Sequence, residues 1–212
     1  MGMKITPINI AFILPRSIIE AAVALSKKLS EKNDVHFTLD EKNYYTHISI
    51  YPTEIVDSPL KEVFSTIQRI ANETKPFTTS YIGTNTGDRY LDFTMDKNES
   101  MQQLHENIIH KVNPFRKGYI REKYLKKEYQ ARKTKKALQY IKKYGRWFIM
   151  SLYRPHITFT RFKQEGVAEE VANTRVIPDD EFELDTIGIF KRGDHGTCND
   201  LLESFKLKDA QN

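Results

Sequence analysis

The chain has 212 residues, of which 39% are hydrophobic and 29% charged, a balance that fits a folded soluble protein and argues against a disordered one. Its net charge is +5, and its single cysteine, Cys198, excludes an internal disulfide and a cysteine-based zinc site. The apolar stretch Ile8 to Leu14 is too short to cross a membrane and has no basic leader, so we expect one monomeric domain over residues 1–212 in the cytoplasm.

In chain order, Ile8–Leu14 reads as a buried strand. Ser17-Ile18-Ile19-Glu20 has the spacing of a capping box and opens an amphipathic helix through Ile19, Val23 and Leu29. Thr46-His47-Ile48-Ser49-Ile50-Tyr51 is β-branched and aromatic, and reads as a strand. Ser58-Pro59 supplies the N-cap and first position of a second helix, with Leu60, Val63, Phe64, Ile67 and Ile70 on one stripe. Strands are predicted at Phe77–Ile82 and Tyr90–Met95, around a turn at Asn85–Asp88. A third helix carries Met101, Leu104, Ile108 and Val112, and stops before Pro114.

Residues 116–146 then hold thirteen Lys or Arg against two acids, a local charge of +11 that leaves the rest of the chain at −6. Gly118 and Gly145 bracket this segment, whose interior reads as a long helix or helical hairpin. Tyr119, Tyr124, Tyr129, Tyr140 and Tyr144 are interleaved with its charges. Such a stretch is either a polyanion footprint with tyrosines for base stacking, or a solvated helix whose tyrosines pack inward. The strand around His156 follows, then a short helix near Gly166–Asn173 and strands at Phe182–Phe190 and Leu201–Leu207. The element pattern is α+β.

Two tripeptides carry the chemistry. His47-Ile48-Ser49 and His156-Ile157-Thr158 each place an imidazole and a hydroxyl two residues apart, hence on one face of a strand. One imidazole can take a proton while the other gives one, and two hydroxyls can hold an anion. His36-Phe37-Thr38 and His195-Gly196-Thr197 match the same bare pattern. However, His195 sits in a glycine-rich turn, and His36 follows directly on a helix and lacks the His-Ile-hydroxyl frame of the other two. His105 falls beside Leu104 and Ile108 and is expected to be a partly buried, hydrogen-bonded histidine, whereas His110 is expected to be solvated. No metal-ligand spacing, Walker motif or dinucleotide motif is present, so neither a metal nor a cofactor is expected.

The paired motifs, above all Arg154-Pro155-His156-Ile157-Thr158-Phe159-Thr160-Arg161, resemble those of the 2H phosphoesterase superfamily, which includes the LigT-like 2′-5′ RNA ligases and 2′,3′-cyclic phosphodiesterases. The resemblance covers most of the chain apart from the basic segment. It implies two pseudo-symmetric lobes of antiparallel sheet backed by helices, with the active-site cleft between them and residues 116–146 as a basic helical insertion. It also implies a metal-independent phosphodiesterase acting on 2′,3′-cyclic phosphates or 2′,5′-linked nucleotides or RNA, with RNA ligation as the reverse reaction. His47 and His156 would then be the catalytic acid and base, and Ser49 and Thr158 the donors to phosphate oxygens. Tyr51, Arg154, Thr160 and Arg161 are further candidates for substrate contact. A non-catalytic RNA-binding protein on the same fold is the alternative.

Overall fold

The computed structural model describes residues 2–173 and 181–208. Strand β1 (Ile5–Ile13) leads into helix α1 (Arg16–Lys32), followed by β2 (His47–Val56), α2 (Leu60–Asn72), β3 (Phe77–Asn85), β4 (Tyr90–Met95) and α3 (Glu99–Val112). Three short helices, α4 (Glu122–Leu125), α5 (Lys127–Gln130) and α6 (Lys135–Tyr144), precede β5 (His156–Arg161). The chain continues through α7 (Val167–Glu170), β6 (Glu181–Leu184), β7 (Thr186–Arg192) and β8 (Cys198–Lys206). No helix among the described residues is long and apolar enough to cross a membrane.

Several predicted boundaries move for local reasons. The expected capping box at Ser17 does not form, because Pro15 already presets the backbone and α1 starts at Arg16. The Ser58 hydroxyl turns back to the Val56 carbonyl, and α2 begins at Leu60 without a side-chain cap. The strand predicted at Tyr90–Met95 has the observed bounds. The run Phe182–Phe190 divides at Asp185 into β6 and β7, which pair with different neighbours.

All eight strands form one antiparallel sheet in the order β6-β3-β4-β5-β2-β1-β7-β8. This sheet comprises two four-stranded halves, each ending at its inner edge on a strand that carries a His-x-hydroxyl motif. The halves meet at one backbone bridge, Ile48 to Ile157. The expected α+β class and paired lobes are present, but the lobes are fused at that bridge and interleaved in sequence. C-terminal β7 and β8 extend the half begun by β1, and α1 packs on β5 of the other half.

Both motif strands are bulged at the same place. Between β1 and β2, Ile10 faces Tyr51 and Ala11 faces Ser49, so Ile50 is an extra residue. Between β4 and β5, Leu91 faces Thr160 and Asp92 faces Thr158, so Phe159 is extra. A bulge leaves its residue out of the ladder and shifts the side-chain alternation by one. Each orphaned carbonyl is satisfied by a helix side chain: His105 Nδ1 of α3 reaches the Ile50 carbonyl at 2.8 Å, and Ser26 Oγ of α1 the Phe159 carbonyl at 2.8 Å. His105 is therefore hydrogen-bonded as expected from sequence, and buried more completely than expected. Its Nε2 accepts from the Met150 N–H at 2.8 Å, and its ring stacks on Tyr153 with centroids 3.8 Å apart.

Beyond the bridge the halves diverge, and residues 113–146 cover the open edge of β2. The Tyr51 hydroxyl donates to the Tyr144 carbonyl at 2.9 Å, and Arg146 Nε to the Pro52 carbonyl at 2.7 Å. The basic segment is thus three short helices clasped to the sheet, and the expected long helix or hairpin is not formed. Two of its arginines are structural. Arg116 is 2% exposed and donates to Asn113 Oδ1 and to the carbonyls of Tyr119 and Lys143. Arg146 is buried against Glu54, with an Nη2–Oε1 distance of 2.9 Å, and Arg192 reaches the same oxygen at 2.6 Å. Gly145 closes α6 at φ 74°, where a Cβ would lie 2.9 Å from Arg116 Cδ.

Arg146→Ala leaves Glu54 paired with Arg192 but removes one of its cations and strips the Pro52 carbonyl of its buried donor, and a buried acceptor left unsatisfied costs about 1–3 kcal/mol. Arg146→Ala is therefore expected to lower unfolding stability by that order in a urea titration. Lys142→Ala, on an exposed position of the same helical segment, is expected to leave the midpoint almost unchanged. Equal midpoints for the two variants would contradict the anchoring role of Arg146.

Candidate active site

The bridge decides where the motif side chains go. With Ile48 opposite Ile157 in antiparallel register, one step either way sets His47 across from Thr158 and Ser49 across from His156. All four line one cavity of about 240 Å³, walled by aromatic residues including Tyr45, Trp147, Phe148 and Tyr153. Ile48 and Ile157 point the other way, into the core.

The two imidazoles are held alike. His47 Nδ1 lies 2.8 Å from the Tyr45 carbonyl, and His156 Nδ1 lies 2.8 Å from the Arg154 carbonyl. A carbonyl can only accept, so in both rings Nδ1 carries the proton and a neutral ring keeps its Nε2 lone pair. The environments differ. Burial pushes the His47 imidazole down to about 4, against the hydrogen bond to Tyr45 and with repulsion from His156 adding to the fall. At neutral pH His47 is an uncharged base.

The hydroxyls are held oppositely. Ser49 Oγ accepts from Asn9 Nδ2 at 2.8 Å, which leaves the Ser49 proton free to donate into the cavity. Thr158 Oγ1 donates at 2.6 Å to Asp92, whose second oxygen accepts from Asn85 Nδ2 at 3.1 Å. Asp92 is 6% exposed. The Thr158 proton is committed, so Thr158 offers the cavity only lone pairs. The expectation of two equivalent donors is corrected at this residue.

The remaining candidates separate along the bulges. Strict alternation predicts Tyr51 and Thr160 in the cleft, but each follows a bulged residue and is 0% exposed in the core. Tyr51 bonds the Tyr144 carbonyl, and Thr160 the Phe37 carbonyl at 2.6 Å. Arg154 does line the cavity, with its guanidinium over the Phe148 ring at 5.4 Å. Arg161 lies outside the cavity wall, against the Tyr90 ring at 5.1 Å. Exposed His110 and hydrogen-bonded His105 are where the sequence put them. Among the described residues, no group of three or more His, Cys, Asp or Glu is arranged to hold a metal.

Sequence reasoning missed Asn9 and Asp92. The signal was there: each is the one amide or carboxylate side chain within a largely apolar strand, a position that requires a partner. Asn9 also donates to Cys198 Sγ at 3.2 Å, tying β1 to β8 beneath Ser49.

Residues 56–196 match a family described as "Protein of unknown function (DUF1045)". The chain belongs to that family. The matched stretch includes the His156 motif and begins after the His47 motif. No curated protein matches the chain. Among solved structures, Escherichia coli LigT complexed with 3′-AMP superimposes with a TM-score of 0.60 at 13% identity, covering 96% of this chain and 99% of LigT. TT0787 of Thermus thermophilus gives 0.57 at 17% identity, covering 97% of this chain and 100% of the other. A structure described as a phosphoesterase gives 0.51 at 13% identity, covering 96% and 99%. At these identities the likeness is one of fold, and that fold is the one the 2H resemblance implied.

Burial also pushes the His105 imidazole down to about 3, against its hydrogen bond to Ile50. Both His47 and His105 bind protons more weakly folded than unfolded, so stability is complete above about pH 6.5 and falls as pH drops toward 4. The loss is about 1.4 kcal/mol per pH unit for each group. Urea unfolding between pH 7 and 4.5 is expected to show this slope, reduced in His105→Gln. A slope unchanged in that variant would show that His105 is not its source.

Proposed function

We propose that the protein is a metal-independent phosphodiesterase of the two-histidine type, acting on nucleotide or RNA phosphodiesters such as 2′,3′-cyclic phosphates or 2′,5′ linkages. The observation that carries this reading is the matched geometry of His47 and His156. On bridged strands, each imidazole is fixed through Nδ1 to the carbonyl two residues back and borders the same cavity. His47, held neutral by burial, takes the proton from the attacking hydroxyl or water. His156, more open to solvent, protonates the leaving sugar oxygen. Ser49 donates to a non-bridging oxygen as charge builds on it. In the reverse direction the two imidazoles exchange roles, which gives ligation.

A chain of nucleotides is favoured by a second observation. A wider groove of about 960 Å³ runs on from the cavity, sharing Trp147, Phe148, Arg154 and His156 with it. Its wall carries Lys123, Lys126, Arg132 and Lys133 from the insertion, together with Tyr129. Lys133 Nζ sits over Trp147 at 3.7 Å and Tyr129 at 5.0 Å, an alternation of charge and ring suited to a single strand. RNA binding without turnover is the second reading, and the same groove supports it.

His47→Ala and His156→Ala are each expected to lower kcat on a 2′,3′-cyclic nucleotide by about 10²–10⁴, with the circular dichroism spectrum unchanged. Ser49→Ala is expected to cost roughly 3–4 kcal/mol at most. Thr158→Val is expected to cost less than Ser49→Ala, since its proton is held by Asp92. Turnover should persist in excess EDTA, and its acid limb should lie near the His47 value of about 4. Full loss on chelation with recovery on Mg²⁺ would defeat the mechanism. RNA binding by inactive His variants, with no turnover of any substrate by the wild type, would leave the binding reading.

Neutralising Lys123, Lys126, Arg132 and Lys133 together is expected to weaken binding of single-stranded RNA and flatten its salt dependence. Turnover of a cyclic mononucleotide should hardly change. Equal loss on both substrates would assign these residues to the reacting centre or to the fold.

A further inference from the structure

A second basic cluster stands at the rim of the cavity, on the side formed by the ends of β4 and β5 and the turn between β7 and β8. His36 packs against His195 with ring centroids 4.4 Å apart and the rings tilted by 36°. Arg161 Nη1 donates to His195 Nδ1 at 3.0 Å, so the proton of a neutral His195 ring is on Nε2 and points away from Arg161. Arg161 is braced by the Tyr90 ring and, through Nε, by the Asp88 carbonyl at 3.2 Å. Arg89 Nη1 donates to the Lys163 carbonyl at 2.7 Å, which brings Arg89 and Lys163 into the group.

This arrangement is costly as it stands. Among the described residues, no carboxylate lies within ion-pair distance of Arg89, Arg161 or Lys163. Partial desolvation, repulsion between the two rings and repulsion from these three cations hold the His36 imidazole below its ordinary value. His195 is held down likewise, by burial and Arg161, with Asp194 opposing. The backbone is unfavourable too: Arg89 and His195 adopt φ 68° and 57°, left-handed conformations that a side-chain-bearing residue seldom takes. Like charges gathered on strained turns, with donors left over, fit an anion that is absent when the cluster is alone.

Position narrows the anion's identity. His195, Gly196 and Thr197 line the same cavity as His47 and His156. Arg161 follows Thr158 by three residues on β5, roughly 10 Å at strand rise, which an arginine and one nucleotide unit span together. We propose that His36, Arg161 and His195, supported by Arg89 and Lys163, form a binding site for a second phosphate group of the substrate, one nucleotide unit from the phosphate between His47 and His156. The substrate class is therefore a nucleotide bearing at least two phosphates. The second is either a terminal monoester or the next diester of a chain. The proposal rests on the phosphodiester reading of the cleft, and a binding measurement separates the two.

Isothermal titration calorimetry with adenosine 3′-monophosphate, adenosine 3′,5′-bisphosphate and a diadenosine 3′-monophosphate dinucleotide tests it. The wild type is expected to bind at least one of the two-phosphate ligands about tenfold or more tightly than the monophosphate. A gain confined to the bisphosphate identifies a terminal monoester, and one confined to the dinucleotide identifies a chain diester. Arg161→Gln, and separately His36→Ala at an exposed position, are expected to cut that ratio to about two or less. No preference in the wild type, or a preference that survives both substitutions, overturns the site. Turnover of 2′,3′-cyclic AMP is scored separately. Its absence would defeat the catalytic reading and leave a two-phosphate preference that is lost with Arg161→Gln intact.

Discussion

One pair of backbone partners, Ile48 and Ile157, joins the two halves of the sheet, and the cleft exists because of it. Side chains that flank a bridged pair project from the same face with a period of two. A bridge at any neighbouring residue would send one motif into the core and leave the other facing solvent. The apolar isoleucines enforce the register, since burying them requires that both imidazoles and both hydroxyls face the cavity. The bulges at Ile50 and Phe159 then end the alternation one residue after each hydroxyl, turning Tyr51 and Thr160 inward as ties to the surrounding chain. His105 and Ser26 hold the bulged carbonyls from behind. Fold and site are coupled through these few backbone groups.

The symmetry of the backbone is broken by side chains. On the strands that neighbour the two motifs, β1 supplies the amide of Asn9 and β4 the carboxylate of Asp92. An amide nitrogen gives a proton to Ser49, and a carboxylate takes one from Thr158. The first hydroxyl is a donor toward the cavity and the second an acceptor. Burial breaks the symmetry again at His47. Under the proposed reaction, a phosphodiester lying across the cavity would meet one half that donates to it through Ser49. The other half would offer it only acceptors, so the two sides of the cavity differ chemically even though the two motifs look interchangeable.

Much of this was legible in the sequence. Both motif strands, the strand at Tyr90–Met95, the α+β class and the hydrogen-bonded role of His105 follow from period, composition and resemblance. Two of the failures share one origin. Period-two reasoning cannot see a bulge, because an inserted residue leaves no mark in composition, and so Tyr51 and Thr160 fall on the wrong face. Asn9 and Asp92 were legible as polar residues in apolar strands, but their partners are distant in sequence and only pairing across strands reveals them. The split of Phe182–Phe190 at Asp185 is likewise invisible locally, since β6 and β7 are distinguished by the neighbours they find.

The basic segment shows why a charge count is not a binding site. Its excess of +11 reads in sequence as one footprint or one solvated helix. The structure divides it. Arg116 and Arg146 are consumed by carbonyls and by Glu54 in fixing the segment to the open edge of β2. Lys123, Lys126, Arg132 and Lys133 face a groove that leads into the cavity, and Lys142 and Lys143 lie on the exposed side of α6. The buried arginines fix the segment that forms the groove wall, where the four cations stand with Glu128 among them. Charge that faces the groove is therefore built on charge that is already satisfied. The rim cluster at Arg161 follows the same rule with a different support, a tyrosine ring and a carbonyl in place of a buried carboxylate.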